Sequence, residues 1–140
     1  MSSLAEGAPA HEGLKEPDPR PHIEGSPPAI AGVRCDLCQY PTTEFVERCP
    51  LCRSTVHRTR FCRTGTVFSG TVLMSPVHDR DAPLSLVYVD LDDGPRVLGH
   101  GSDRDQRLPV GERVILSGVT PFGDPQFSRW VAEPAQESTT

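Results

Sequence analysis

The 140-residue chain is long enough for one modest domain, or two very small ones, with tails, and its 15 Pro and 12 Gly favour short strands and turns over long helices. Its formal net charge of −5 argues against a protein built mainly to grip nucleic acid, because phosphate contacts need a basic surface. No stretch approaches the roughly 18 apolar residues of a membrane span, and the N-terminus lacks a secretory signal, so we expect a cytoplasmic protein that is not bound to a membrane.

Both ends of the chain are predicted to be disordered tails. Residues 1–31 are rich in Pro, Glu, Gly, Ala and Ser, and their few apolar residues show no period. Such a segment cannot bury enough surface to offset the entropy lost on ordering it. Ordering of part of this tail on a partner stays an open alternative. Residues 134–140 are polar and form the second predicted tail.

Residues 32–63 carry two Cys-x-x-Cys knuckles with ten residues between them. The two-residue gap turns both thiolates of a knuckle towards one point, and two knuckles supply four sulfurs for a tetrahedral ion. The spacing predicts a structural zinc ion, Zn²⁺, held by Cys35, Cys38, Cys49 and Cys52. Iron, a redox dithiol and unpaired thiols remain the alternatives. Four protein thiolates leave no open coordination position, so the metal is expected to fold a segment with little core.

Arginines make the cysteine-bearing segment and its exit locally basic. The simpler interpretation is a solvated surface that offsets the negative charge of the metal site. The more specific interpretation is a binding patch for a phosphorylated ligand such as coenzyme A, or for an acidic surface of a partner protein. On that view the predicted contacts are Arg58, Arg60 and Arg63. Cys62 is expected to be an ordinary, partly buried thiol, and His57 to take no part in the metal shell.

From residue 64 to residue 133 the pattern is that of short β-strands and turns. Turns are predicted at residues 92–95 and 109–112, and Gly70 predicts a bulge or bend within the first strand. Five strands with one polar insertion favour an OB-type, partly open barrel, with another small all-β barrel as the alternative. The predicted strands are Thr66–Met74, Leu84–Leu91, Arg96–Gly99, Arg113–Val119 and Gln126–Glu133.

The order and spacing of these features resemble the zinc-ribbon plus OB-fold proteins of the domain of unknown function 35 family. The resemblance covers about residues 33–132. It rests on the knuckles, Gly65-Thr66-Val67, the run from Val89 to Gly94, Val110-Gly111-Glu112 and Phe127-Ser128-Arg129. This chain departs from the family at Gln39, where glycine is common, and at Val56-His57-Arg58, where an aromatic residue is common.

The resemblance implies a mostly β protein: an N-terminal rubredoxin-like zinc ribbon followed by a five-stranded OB-fold barrel. It also implies a small non-catalytic partner of enzymes that act on coenzyme A thioesters. Such partners are thiolases, hot-dog-fold hydratases and hydroxymethylglutaryl-CoA synthase assemblies. The expected role is an accessory subunit or scaffold that supports assembly and acyl-CoA binding or channelling in lipid metabolism.

The alternative function is a nucleic-acid-binding zinc-ribbon/OB-fold module, since both folds bind nucleic acid elsewhere. The acidic barrel argues against it, and we expect most of the barrel aromatics in the core: Phe68, Tyr88, Phe122, Phe127 and Trp130. No nucleophile constellation indicates an enzyme. His78-Asp79-Arg80-Asp81 is interpreted as a polar loop, and Gly99-His100-Gly101 carries no motif.

Overall fold

The structure is a computed structural model that describes residues 21–76 and 80–131. Most of the predicted N-terminal tail, residues 1–20, and the whole C-terminal one, within 132–140, lie outside the described residues. So do His78 and Asp79 of the predicted polar loop. Within the described ranges, no helix has the length and apolar character that crossing a membrane demands.

The N-terminal part, residues 21–62, is a small antiparallel sheet that we call the cysteine lobe. Its strands are β1 (His22–Glu24), β2 (Ala29–Cys35), β3 (Pro41–Thr42) and β4 (Val56–Arg60). Strand β2 is central: β1 and β3 pair with successive parts of one edge, and β4 pairs with residues 31–35 along the other. The sheet therefore holds both Cys35, at the end of β2, and the strand that leads to the barrel.

The C-terminal part is a closed five-stranded barrel in the order β5-β6-β7-β9-β8. All neighbours are antiparallel except β7 and β9, whose parallel pairing closes the barrel. This confirms the predicted OB-type architecture and all five predicted strands. Their observed bounds are β5 (Thr64–Leu73), β6 (Leu84–Leu91), β7 (Arg96–Gly101), β8 (Arg113–Val119) and β9 (Pro125–Arg129).

Alternation along β6 shows which side chains face the barrel interior. Val87, Val89 and Leu91 are buried, whereas Tyr88 points outwards. Strand β5, which pairs with β6, has a bulge at Phe68. Val67 pairs with Val89 and Ser69 with Tyr88, so Phe68 has no partner residue in β6. The predicted irregularity is thus at Phe68 rather than at Gly70. A Cβ at Gly70 would lie 2.7 Å from the carbonyl oxygen of Leu108, so glycine is needed there for close approach.

One hydrophobic core joins the two parts of the chain. Ile30 from β2 and Phe61 after β4 are 1 % and 2 % exposed and pack with the barrel interior. The predicted tail, 1–31, is therefore corrected for residues 22–24 and 29–31, which lie in strands β1 and β2. The reason is long-range: the apolar side chains of Ile23 and Ile30 find their partners in a core supplied by residues 67–127. The composition of the N-terminal segment alone therefore gives no indication of that core.

The structure also corrects the prediction that most of the barrel aromatics lie in the core. Only Phe127 is fully buried, whereas Phe68, Tyr88, Phe122 and Trp130 are between 37 % and 47 % exposed. Aliphatic residues fill the narrow interior instead, with Val67, Val87, Val89, Val114 and Leu116 all at most 2 % exposed. A five-stranded barrel has little room for large rings, and so the rings lie on its outer wall.

The turn between β6 and β7 ties the cysteine lobe to the barrel. The carboxylate of Asp93 accepts a hydrogen bond from the backbone N–H of Cys62 at 2.7 Å, and its carbonyl accepts one from the Arg34 guanidinium. A Cβ at Gly94 would lie 2.8 Å from the ring of Phe61. The Asp-Asp-Gly run that sequence reasoning interpreted as a hairpin turn is therefore also the contact between the two parts.

Asp92, the residue before Asp93, joins strands within the barrel, and we expect it to make stability sensitive to acid. Its carboxylate accepts two hydrogen bonds from Arg113, at 2.7 and 2.8 Å, and one from Thr64. These bonds, that from Arg113 first, lower the pKa of Asp92 to about 2. Because the pKa of Asp92 is lower in the folded state, its carboxylate stabilises the fold at pH values above the ordinary pKa. This stabilisation is lost as the pH falls from about 4 towards 2.

Asp92→Asn should therefore flatten the fall in the free energy of unfolding across that window. The side chains of Asp92 and Arg113 are both more than one-third exposed. We therefore expect the free energy of unfolding to fall by only about 0.5–1 kcal/mol at neutral pH. Urea unfolding at several pH values measures it, with Glu47→Gln as the control for removal of an exposed carboxylate. An unchanged pH dependence in Asp92→Asn would contradict the assignment.

Candidate metal centre

The two Cys-x-x-Cys segments fold into the same backbone knuckle. The carbonyl of Cys35 accepts a hydrogen bond from the N–H of Gln39 at 3.2 Å, and that of Cys49 accepts one from Arg53 at 2.9 Å. Gln39 and Arg53 both have φ of +69°. This left-handed conformation favours glycine, and Gln39 is the position where the sequence departs from that residue. Both knuckles therefore turn as the spacing predicts despite lacking glycine.

Backbone N–H groups point at the sulfurs inside each knuckle. The Sγ atom of Cys35 lies 3.3 Å from the N–H groups of Leu37 and Cys38, and the Sγ atom of Cys49 lies 3.3 Å from that of Leu51. Such donors favour a thiolate over a thiol. They are the donors that a negatively charged tetrathiolate site requires.

The four sulfurs of Cys35, Cys38, Cys49 and Cys52 lie within 4.8 Å of one another. Cys35 and Cys52 are 3.4 Å apart at Sγ, and Cys38 and Cys49 are 3.6 Å apart. A tetrahedral ion with Zn–S bonds of about 2.3 Å separates its sulfurs by about 3.8 Å. The donor set therefore fits one metal ion, and its all-sulfur chemistry suits zinc.

Electrostatics within the cluster favours deprotonation of Cys52. Hydrogen bonds from Ser54, first from its side chain and then from its backbone, lower the pKa of the Cys52 thiol to about 6. Metal ligands must bind as thiolates, so the hydrogen bonds from Ser54 lower the cost of deprotonating this one ligand. Ser54 was missed by sequence reasoning; its position two residues after the second knuckle is the only signal that could have found it.

His57 lies beside the metal centre with a role of its own. Its Nδ1 atom is 2.6 Å from one carboxylate oxygen of Asp36, and the Thr55 hydroxyl donates to the other oxygen at 2.7 Å. Asp36 sits inside the first knuckle. The carboxylate thus fastens the first knuckle to the start of β4, and His57 is not part of the sulfur cluster.

The three predicted contact arginines do not share one environment. Arg58 and Arg60 lie on the outer face of the cysteine lobe, where both pair with Glu24, at 3.6 and 2.9 Å. Arg63 is partly buried, and donates to the carbonyl oxygens of Pro28 and Leu116 at 2.9 and 2.8 Å. Arg58 and Arg60 remain accessible to a ligand or partner, whereas Arg63 joins the lobe to the barrel.

Comparison with known proteins shows what the barrel is similar to. Residues 59–119, a little under half of the chain, match the family model described as ChsH2, C-terminal OB-fold domain. A solved structure titled "Ltp2-ChsH2(DUF35) aldolase" is similar in fold, with a TM-score of 0.59. The match has 23 % sequence identity and covers 74 % of this chain and 86 % of that chain. No curated protein matches the sequence. The resemblance predicted from the motifs is thereby confirmed.

Proposed function

We propose that this chain, whose residues 59–119 match the OB-fold domain of ChsH2, is a non-catalytic, zinc-binding accessory subunit of an enzyme that acts on acyl-CoA. A thiolase or a hot-dog-fold hydratase is the proposed partner. The observation that carries the proposal is the fold match to a chain in a structure titled as an aldolase with Ltp2. An aldolase therefore joins the thiolase and the hydratase as an enzyme to test.

Exposed apolar side chains on the barrel wall support a docking role. Phe68, Tyr88 and Leu98 lie on adjacent strands β5, β6 and β7 and are between 44 % and 47 % exposed. The sheet brings Tyr88 and Leu98 directly opposite each other. Exposed aromatic residues next to aliphatic ones are typical of protein interfaces. We propose that the partner enzyme covers this patch.

The same exposed rings are what a nucleic-acid-binding barrel would use, so the alternative needs weighing against the structure. The Arg96 guanidinium lies 3.3 Å from the centroid of the Phe68 ring and pairs with Asp90 at 2.6 Å. The guanidinium covers one face of the Phe68 ring, and its charge is paired with that of Asp90. Stacked bases need a bare ring beside a basic groove, so this wall favours a protein partner.

Support for a non-catalytic role comes from the cysteines. Four of the five converge on one metal position, where no sulfur is left over for substrate. The fifth, Cys62, is exposed rather than partly buried as expected. It is a weak nucleophile, because desolvation first, and then the neighbouring Asp93, raise the pKa of its thiol.

The proposal is tested by capture of a tagged chain from its own cells, with bound proteins identified by mass spectrometry. We expect an acyl-CoA enzyme in a fixed ratio to the chain. Arg58→Ala/Arg60→Ala should reduce the captured amount, because these exposed side chains are proposed to contact the partner or a coenzyme A phosphate. Arg63 is left intact, since its replacement would disturb the junction.

The matched control is Arg107→Ala/Arg129→Ala, which removes the same charge from exposed positions on the barrel. Equal capture by both double variants would contradict a role for Arg58 and Arg60 while leaving the accessory role intact. The ratio of absorbance at two wavelengths shows whether the eluate contains nucleic acid. Nucleic acid without an acyl-CoA enzyme would contradict the accessory role itself.

A further inference from the structure

A cavity of about 310 Å³ opens at one end of the barrel, away from any feature used above. Three connections meet there: the one before β6, the one between β7 and β8, and the turn between β8 and β9. The described residues that line it include Arg80, Leu84, His100, Arg104, Thr120 and Phe122. Sequence reasoning named Arg80, His100 and Phe122, but assigned them to a polar loop, to a run without a motif and to the core.

A buried carboxylate organises the floor of this cavity. The side chain of Asp124 is 9 % exposed, and its Oδ2 atom accepts hydrogen bonds from Nε and Nη2 of Arg80 at 3.2 and 2.8 Å. Nε2 of the buried His100 lies 3.0 Å from the same oxygen. The Arg80 guanidinium also packs over the Phe122 ring, 4.5 Å from its centroid. Asp124 thus holds one cation and one imidazole in fixed orientations.

A second guanidinium is held at the cavity wall by neutral groups. Arg104 donates to the carbonyl oxygens of Pro83 and Asp81, at 3.1 and 2.6 Å. These carbonyls fix the direction of the side chain without cancelling its charge. The Thr120 oxygen accepts from the N–H groups of Phe122 and Asp124, at 3.3 and 3.1 Å, which leaves its own proton to donate.

Two hydrogen-bond donors of the cavity wall remain for a ligand: the Arg104 guanidinium and the Thr120 hydroxyl. Arg80 and His100 are directed at Asp124 instead. Asp81 is the single carboxylate among the described lining residues, exposed at the rim. A ligand that complements such a site is rich in acceptors and negatively charged. The volume exceeds that of a bare ion and lies at the lower end of the range for small-molecule pockets.

We propose that this cavity binds the oxyanion group, phosphate or carboxylate, of a small molecule. Arg104 supplies the charge, Thr120 a neutral donor, and the ring of Phe122 an apolar wall for the rest of the ligand. The inference does not depend on an enzyme partner, so its failure and the failure of the accessory role are separate results.

The test is an NMR titration of the zinc-loaded, ¹⁵N-labelled full chain at constant ionic strength. The probes are inorganic phosphate, acetate and coenzyme A, each in its own series. We expect saturable shifts centred on the amides of Gly101, Thr120 and Phe122. Saturation by phosphate or coenzyme A assigns a phosphate group, and saturation by acetate alone assigns a carboxylate; either supports the proposal.

Arg104→Ala should weaken binding by about tenfold or more, as expected for loss of a charged hydrogen bond, and Arg104→Lys should restore part of it. The matched control is Arg107→Ala, in the same connection but outside the cavity lining. Unchanged amides at the cavity with all three probes would overturn the proposal. So would equal weakening by Arg104→Ala and Arg107→Ala, which indicates attraction by overall charge only.

Discussion

Replacement of Cys49 by serine is expected to abolish metal binding and to unfold residues 36–55, the stretch of the cysteine lobe between β2 and β4. Among residues 36–55, all of which the structure describes, Cys49 is the only buried one. This stretch has no core of its own, and its longest strand is the two-residue β3. A structural zinc ion contributes roughly 10–16 kcal/mol to folding in small zinc domains, so nothing else in the stretch can replace it.

Elemental analysis of the purified protein measures the first effect. We expect about one zinc per chain in the unaltered protein and almost none in Cys49→Ser. The matched control is Cys62→Ser, which removes the one cysteine outside the cluster and should keep its zinc. Iron instead of zinc in the unaltered protein would make the proposed metal wrong. Full zinc content in Cys49→Ser would make the proposed ligand set wrong.

Phe61→Ala is expected to lower the free energy of unfolding by about 3–5 kcal/mol, the usual cost of removing a buried ring. Phe61 is 2 % exposed and belongs to the core that both parts of the chain share. Its ring is in contact with the Gly94 backbone and lies under the Arg34 guanidinium, 5.6 Å from the ring centroid. Loss of the ring therefore removes contacts on both sides of the junction.

Urea unfolding of the zinc-loaded protein, followed by the fluorescence of Trp130, measures this change. Phe45→Ala is the matched control, because Phe45 lies in the same lobe, is 45 % exposed and should cost less than about 1 kcal/mol. Similar costs for both variants would mean that Phe61 does not join the two parts. A second transition in Phe61→Ala alone would show that the ring couples their unfolding.

The sequence by itself determined the features that depend on neighbours along the chain. Two-residue gaps force each pair of thiolates together, and alternation along 84–91 sets which side chains face inwards. The five barrel strands and both turns follow from such local patterns. The metal position and the barrel could therefore be predicted, together with the family that they resemble.

The tertiary structure alone decided what depends on residues far apart in the chain. Ile30 is ordered because barrel residues cover it, and Arg63 is a junction residue because Pro28 and Leu116 present carbonyls to it. The rings of Phe68 and Tyr88 lie outside because aliphatic side chains fill the narrow interior first. Likewise, the cavity around Asp124 exists only because barrel closure brings three connections to one end, a long-range event that no local pattern encodes.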